Sequence, residues 1–174
     1  MDFYVYSDPH FGHANMLNFT RHDGTPLRPE FPDVEEMDRV MIEKFNSRVG
    51  QFEKVYFLGD VSFKLDVFHR VMPQLNGKKR LILGNHDKFK MTEYVKYFEK
   101  IYESWQPLRH VLFTHRPIHL GNHHEKIKVN IHGHLHSHEI NDNRYLNVCV
   151  EKTDYFPLHF NQVKELISRR GIEI

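Results

Sequence analysis

Five short polar clusters, each placed directly after a run of residues that reads as a β-strand, constrain this chain more than any other feature. They are Asp8-Pro9-His10, Gly59-Asp60, Gly84-Asn85-His86-Asp87, Thr114-His115 and Gly133-His134-Leu135-His136. Strand ends converge on one edge of a sheet, so side chains from all five clusters can meet there. Carboxylates neutralise divalent charge and can bridge two ions, imidazoles are directional neutral donors, and an asparagine carbonyl adds an oxygen without charge. Asp8, His10, Asp60, Asn85, His115, His134 and His136 are ligands enough for two divalent ions rather than one. Two adjacent metals point to phosphoester hydrolysis. Asp60 is the natural bridging carboxylate, because Gly59 leaves room for two ions to approach it. In an extended segment the spacing of Asp8 with His10, and of His134 with His136, sends both side chains of a pair to one side, so each pair is expected to grip one metal region.

Between the clusters, strands alternate with helices. Residues 2–7 read as a short buried strand, and residues 18–32, with Gly24, Pro26, Pro29 and Pro32, as a surface loop beside the strand ends. Asp33 is expected to cap a helix, with Glu36 as its capping-box partner and Met37, Val40, Met41, Phe45 and Val49 at helical spacing until Gly50. Residues 54–58 read as a second strand, 65–75 as a helix disturbed near Pro73, and 80–83 as a third strand. A helix over 92–98 follows, then strands at 110–113, 128–131 and 145–150. A last helix near 160–170 carries Val163, Leu166 and Ile167 on one face, with Gly171 as its stop. This alternation implies an α/β layered fold.

A chain of 174 residues, 40% hydrophobic and 27% charged, fits one domain over 1–174 with one core. The net charge of +1 gives no long-range field, so partners cannot be read from it. Cys149 is alone, which excludes an intramolecular disulfide, and its apolar surroundings make it a small core residue. The chain has no signal-peptide pattern and no apolar stretch long enough to span a membrane, so a cytoplasmic setting is expected, with no membrane contact and no obligate protein partner.

The ordered set Asp-x-His, Gly-Asp, Gly-Asn-His-Asp, His, Gly-His-x-His, spanning residues 8–136, resembles the calcineurin-like metallophosphoesterase family. The resemblance implies a β-sandwich flanked by helices, with a dinuclear site at its rim. It also implies one metal held by Asp8, His10, Asp60 and His136, and a second by Asp60, Asn85, His115 and His134, so that Asp60 bridges. His86 resembles the family's non-ligand histidine, which contacts the scissile phosphate and protonates the leaving oxygen, and Asp87 is its neighbour in a supporting role. A water shared by the two ions, its pKa lowered, would attack phosphorus in line. Manganese leads as the metal, with iron, zinc, nickel or cobalt as alternatives.

Substrate class is narrowed by a departure from the family's longer pattern. Protein phosphatases and dinucleoside-tetraphosphate hydrolases resembling this family extend Gly-Asp to Gly-Asp-x-x-Asp-Arg-Gly, whereas Phe63 and Lys64 stand at those positions here. The stretch Ser7 to His13 instead resembles the small bacterial and phage phosphoesterases, whose uncapped sites suit phosphodiesters of nucleotides or nucleic acid. A phosphomonoesterase is the alternative within the class, and a non-catalytic metal-stabilised interaction module the alternative outside it. His13, Asn15 and Arg116 are candidate substrate contacts, although His13 can equally cap a helix. Phe11, Phe19 and Arg21 are further groups that a bound single strand would use, their ordinary reading being aromatic core and solvated charge. The other nine histidines, His22, His69, His110, His119, His123, His124, His132, His138 and His159, match no motif position and are expected to be solvated or structurally bonded.

Overall fold

A computed structural model describes residues 1–119, 121 and 126–174. Among the described residues nine strands form two sheets. The first contains β1 (Tyr4–Tyr6), β2 (Lys54–Phe57), β3 (Lys78–Ile82), β4 (Phe98–Tyr102) and β9 (Leu158–His159), in the order β4-β3-β2-β1-β9. The second contains β5 (Ser104–Leu108), β6 (Val111–Thr114), β7 (Val129–His132) and β8 (Tyr145–Asn147), in sequence order. β1 to β4 are mutually parallel with β9 antiparallel at the edge, and β6 to β8 are parallel with β5 antiparallel. Helices α1 (Val34–Arg48), α2 (Leu65–Val71), α3 (Met91–Tyr94) and α4 (Phe160–Arg169) complete the α/β layered architecture.

The buried residues of β1, β2 and β3 divide between two cores by parity. Tyr6, Val55, Phe57 and Leu81 pack with Met37, Met41, Phe45 and Val49 at α1 and with Val67, Phe68 and Val71 of α2. Phe3, Val5, Tyr56, Leu58 and Ile82 face the other way, onto Val111, Phe113, Val129, Ile131 and Leu146 of the second sheet, where α4 adds Phe160, Val163 and Ile167. The Tyr56 ring lies flat on Trp105 of β5, with centroids 4.1 Å apart and planes 6° apart. Parallel pairing then sends the C-terminal ends of β1, β2 and β3, and those of β6 and β7, to common edges.

Several local expectations are corrected. The segment 92–98 is not one helix: α3 makes a single turn, and Phe98 opens β4, its ring entering the helix-side core. Strand β8 stops at Asn147, after which Cys149 bridges to Ser7 and Val150–Lys152 forms a 3-10 turn. Asp33 does cap α1, accepting from the Glu36 N–H at 2.8 Å, but the Glu36 carboxylate turns to Arg39, leaving the capping box half made. The loop 18–32 is not wholly superficial, since Leu27, Arg28 and Phe31 are buried. α2 gives way to a 3-10 turn, Met72–Gln74, at Pro73.

Candidate metal centre

The five polar clusters meet, three of them on strained backbone. Seven non-glycine residues among those described have positive φ, and five of them are Asp8, His10, Asp60, His134 and His136. An L-residue in this region is disfavoured by roughly 1–2 kcal/mol, and such outliers gather where function requires a particular side-chain direction. Asp8-Pro9-His10 and His134-Leu135-His136 are therefore turns rather than extended segments, and the expectation that each pair grips one region holds only for the first. His134 lies with Asp60 and His115, whereas His136 lies with Asp8 and Cys149.

Two donor groups share a carboxylate. Asp8, His10 and Asp60 place one ligand atom each within 4.8 Å of one another, and so do Asp60, His115 and His134. The Asp60 Oδ2 is 3.7 Å from His10 Nε2 on one side and 3.3 Å from His115 Nε2 on the other. Asn85 joins the second group, its Oδ1 standing 2.9 Å from His115 Nε2. Burial works against the Asp60 carboxylate ion, but the His115 hydrogen bond and the nearby imidazoles hold its pKa at about 2.

The chemistry of these atoms suits divalent cations. Asp8 Oδ1 and both ring nitrogens of His10 are buried without a hydrogen-bond partner, an arrangement that costs about 1–3 kcal/mol for each group left unsatisfied. His115 donates through Nδ1 to the Leu58 carbonyl at 2.7 Å, so its Nε2 faces two oxygens, those of Asp60 and Asn85. A cation is what such a convergence of lone pairs accommodates; without one, a proton takes its place, and despite burial the Asp60 hydrogen bond and the two aspartate charges raise His115 to about 9. Burial keeps His10 and His134 neutral, the latter at about 4. Burial also pushes the Cys149 thiol well up, and its S–H donates to Asp8 Oδ2 at 3.2 Å, so the sulfur is a thiol and the donor set is effectively oxygen and nitrogen.

The strained loops are anchored to one another. Past the ends of β1 and β2 the ladder continues, Asp8 N–H donating to Gly59, His10 N–H to Asp60 and Phe11 N–H to Val61, at 2.9–3.2 Å. The Asp87 carboxylate accepts from the backbone N–H groups of Asp60, Val61 and Gly84 at 2.8–3.0 Å, and burial still raises it to about 6. Close approach explains two glycines. A Cβ on Gly84 would stand 2.2 Å from Asp60 Oδ1, and one on Gly133 would stand 2.0 Å from Asp8 Oδ2.

Sequence reasoning missed the anchor of the first loop. Arg28, 1% exposed, donates to the carbonyls of Asp8 and Pro9 at 2.8 Å and through Nε and Nη2 to Glu151 Oε1 at 2.9 and 2.7 Å. The same Oε1 stands 3.1 Å from His136 Nδ1, which orients that ring. Arg28 lies in a Pro-rich polar stretch and Glu151 in a turn after β8, and neither carries a spacing signal.

His86 is half-buried at the mouth, its N–H donating to Asp60 Oδ1 at 2.8 Å and its ring 6.0 Å from that of His10. His13 stands 5.8 Å from His10, ring to ring, and makes no side-chain cap to the 3-10 helix Ala14–Leu17, so the capping reading is set aside. Arg116 is exposed and reaches Asn85 Oδ1 through Nε at 3.3 Å. Asn15 is exposed on that 3-10 helix and makes no side-chain hydrogen bond to the cluster. A cleft of about 620 Å³ opens from Asn85 and His115 past Arg116 to Glu103 and Ser104. Of the remaining histidines, His69 bonds Tyr97 and Glu93, His110 the Lys126 carbonyl, and His159 caps α4. His119 accepts from the Gly121 N–H, His132 is buried against the Gly133 carbonyl, and His22 and His138 are exposed. His123 and His124 lie outside the described residues.

No known family profile matches the chain. It is 28% identical to an uncharacterized protein of Methanocaldococcus jannaschii, over 95% of this chain and 91% of that one. Its fold is shared with a solved protein of unknown function from Aquifex aeolicus, at a TM-score of 0.69 and 24% identity, over 95% of this chain and 98% of that one. A nuclease of Pseudomonas putida is more distant, at a TM-score of 0.49 and 19% identity over 76% of this chain and 60% of that one, too slight a likeness to carry an argument. Among the described residues no helix is long and apolar enough to cross a membrane.

Proposed function

We propose that this chain is a dinuclear metal-dependent phosphoesterase of the calcineurin-like kind, acting on a phosphodiester of a nucleotide or nucleic acid. The observation that carries the reading is the pair of donor groups sharing Asp60. Asp8, His10, Asp60 and His136 would hold one cation, and Asp60, Asn85, His115 and His134 the other, with manganese first among the candidates for an oxygen and nitrogen donor set. When bound, two divalent cations supply charge to the phosphoryl oxygens and lower the pKa of a water at the site.

The chain's own groups account for the rest. His86, half-buried and tied to Asp60 Oδ1 by its backbone N–H, would give a proton to the departing oxygen. Arg116, at the rim beside Asn85, offers charge to a non-bridging phosphoryl oxygen. The open cleft beyond Asn85 and His115 leaves space for a second ester group, which favours a diester over a monoester.

The test is hydrolysis of bis-p-nitrophenyl phosphate beside p-nitrophenyl phosphate by chelator-stripped protein, with manganese, nickel, zinc or magnesium restored and His86→Ala as control. Diester turnover that returns with metal and is lost by about 10²–10⁴-fold in His86→Ala, at unchanged metal content, is the expected result. Two bound ions without turnover on either ester would refute the hydrolase reading.

A further inference from the structure

The rim of the candidate site carries aromatic rings that the metal chemistry does not use. Phe63, three residues after Asp60, lies nearly parallel to the His10 ring, with centroids 5.3 Å and planes 17° apart. It is also 4.4 Å from the rings of both His13 and His86, yet 37% of it faces solvent. Phe19, 47% exposed, stands edge-on to the same His13 ring at 6.0 Å. Lys64, next to Phe63, is exposed and its ammonium makes no ion pair among the described residues. Phe11, by contrast, is 1% exposed and belongs to the core, so the rings available to a ligand are Phe63 and Phe19.

Packing against His10 does not account for that exposure. The part of Phe63 that faces solvent is bordered by His13 and His86, with the Lys64 cation next in sequence. An exposed phenyl ring beside phosphate-binding groups and a lysine is the composition used to hold a nucleobase, because every base has a π-face and the phosphate attached to it lies one sugar away. A base held inside a duplex cannot present that face.

We infer that Phe63, with Phe19 as the second exposed ring at His13, is the stacking platform for an unpaired nucleobase of the phosphodiester substrate, and that Lys64 meets a neighbouring phosphate. This rests on the hydrolase reading above and adds the substrate class to it: single-stranded nucleic acid or a nucleotide diester, rather than a duplex or an aliphatic diester.

Thymidine 5′-(p-nitrophenyl phosphate) and methyl p-nitrophenyl phosphate share a leaving group and differ in the base, so the ratio of their kcat/KM values isolates the platform. Any loss common to both esters cancels. The wild type is expected to favour the thymidine ester about tenfold, Phe63→Leu to bring the ratio near one, and Phe63→Trp to keep it. No preference in the wild type, or a ratio untouched by Phe63→Leu, overturns the inference. A second arm needs no turnover: anisotropy of a fluorescein-labelled oligothymidylate in chelator, where Phe63→Leu is expected to bind about tenfold more weakly than wild type and Phe63→Trp. If neither ester is hydrolysed, the hydrolase reading falls and this arm alone decides the platform. Binding that is absent, or the same in all three proteins, overturns it.

Discussion

Replacing Glu151 by Gln tests whether the buried Arg28–Glu151 pair is what holds the Asp8-Pro9-His10 loop in its strained form. The substitution keeps volume and one acceptor oxygen but removes the charge between Arg28 and His136. Burial opposes the Glu151 carboxylate ion, yet the Arg28 charge and the His136 hydrogen bond hold its pKa at about 2, against an ordinary 4.5. At 1.36 kcal/mol per unit, that difference is worth roughly 3 kcal/mol of folding stability. A similar figure, about 3–5 kcal/mol, is expected from stranding one member of a buried pair. The folded pKa lies below the unfolded one, so the contribution is complete above about pH 4.5 and disappears as pH falls toward 2. Urea unfolding of metal-stripped protein should thus show Glu151→Gln weaker by about 3 kcal/mol at pH 7, with the gap closing below pH 4. Because His136 also loses its orienting carboxylate, metal affinity should fall by about 10–100-fold in calorimetric titration. A variant within about 0.5 kcal/mol of wild type at pH 7, with unchanged metal affinity, would refute the reasoning.

Gly133→Ala puts a methyl 2.0 Å from Asp8 Oδ2 and 2.1 Å from Ser7 Oγ, so Asp8 must move; elemental analysis should then find fewer bound ions than in wild type, with a stability loss of about 1–3 kcal/mol on urea unfolding. Adding manganese at about 100 times its dissociation constant should stabilise the wild type by about 2.7 kcal/mol, and Asp60→Asn, which weakens the carboxylate common to both donor groups, should lose most of that gain in a thermal melt. His159→Ala removes the ring that accepts from Asn161 N–H and begins the capping box of α4; a loss of about 1 kcal/mol, with metal content unchanged, is the expected outcome of paired denaturation and metal assays.

What the sequence made legible was what local pattern controls. Short apolar runs ending at the clusters made β1, β2, β6 and β7 legible, and β3 through Leu81 and Ile82 alone, since its first three residues are charged. Strands β4 and β5 were missed because Glu99, Lys100, Glu103 and Gln106 break any apolar run: these strands pair beside β3 and β6 at the sheet edges, where one face meets water. The helix expected over 92–98 fails for a related reason, since Tyr94 and Phe98 satisfy helical spacing but reach one core from two different elements. The donors are likewise legible as residue types, while Arg28 and Glu151 are not, because 123 positions separate two ends of one ion pair.

The conformation of the loops was the least legible property of all, and it bears most directly on the chemistry. Extended geometry would have sent His134 and His136 to one side. Left-handed backbone at both instead divides them, one toward Asp60 and His115 and one toward Asp8. This division lets a single loop of the second sheet serve both donor groups, just as Asp60 does from the first sheet. Asp8, His10, Asp60 and Asn85 follow strands of the first sheet, and His115, His134 and His136 follow strands of the second. With His136 beside Asp8, each of the two proposed cation sites would draw on both sheets and depend on how the sheets are packed. The Phe3, Val5, Phe113 and Ile131 core between them fixes that packing. The apolar core and the polar rim are thus one device: burial between the sheets sets the separation of the strand ends, and cations at those ends would in turn hold the sheets in register.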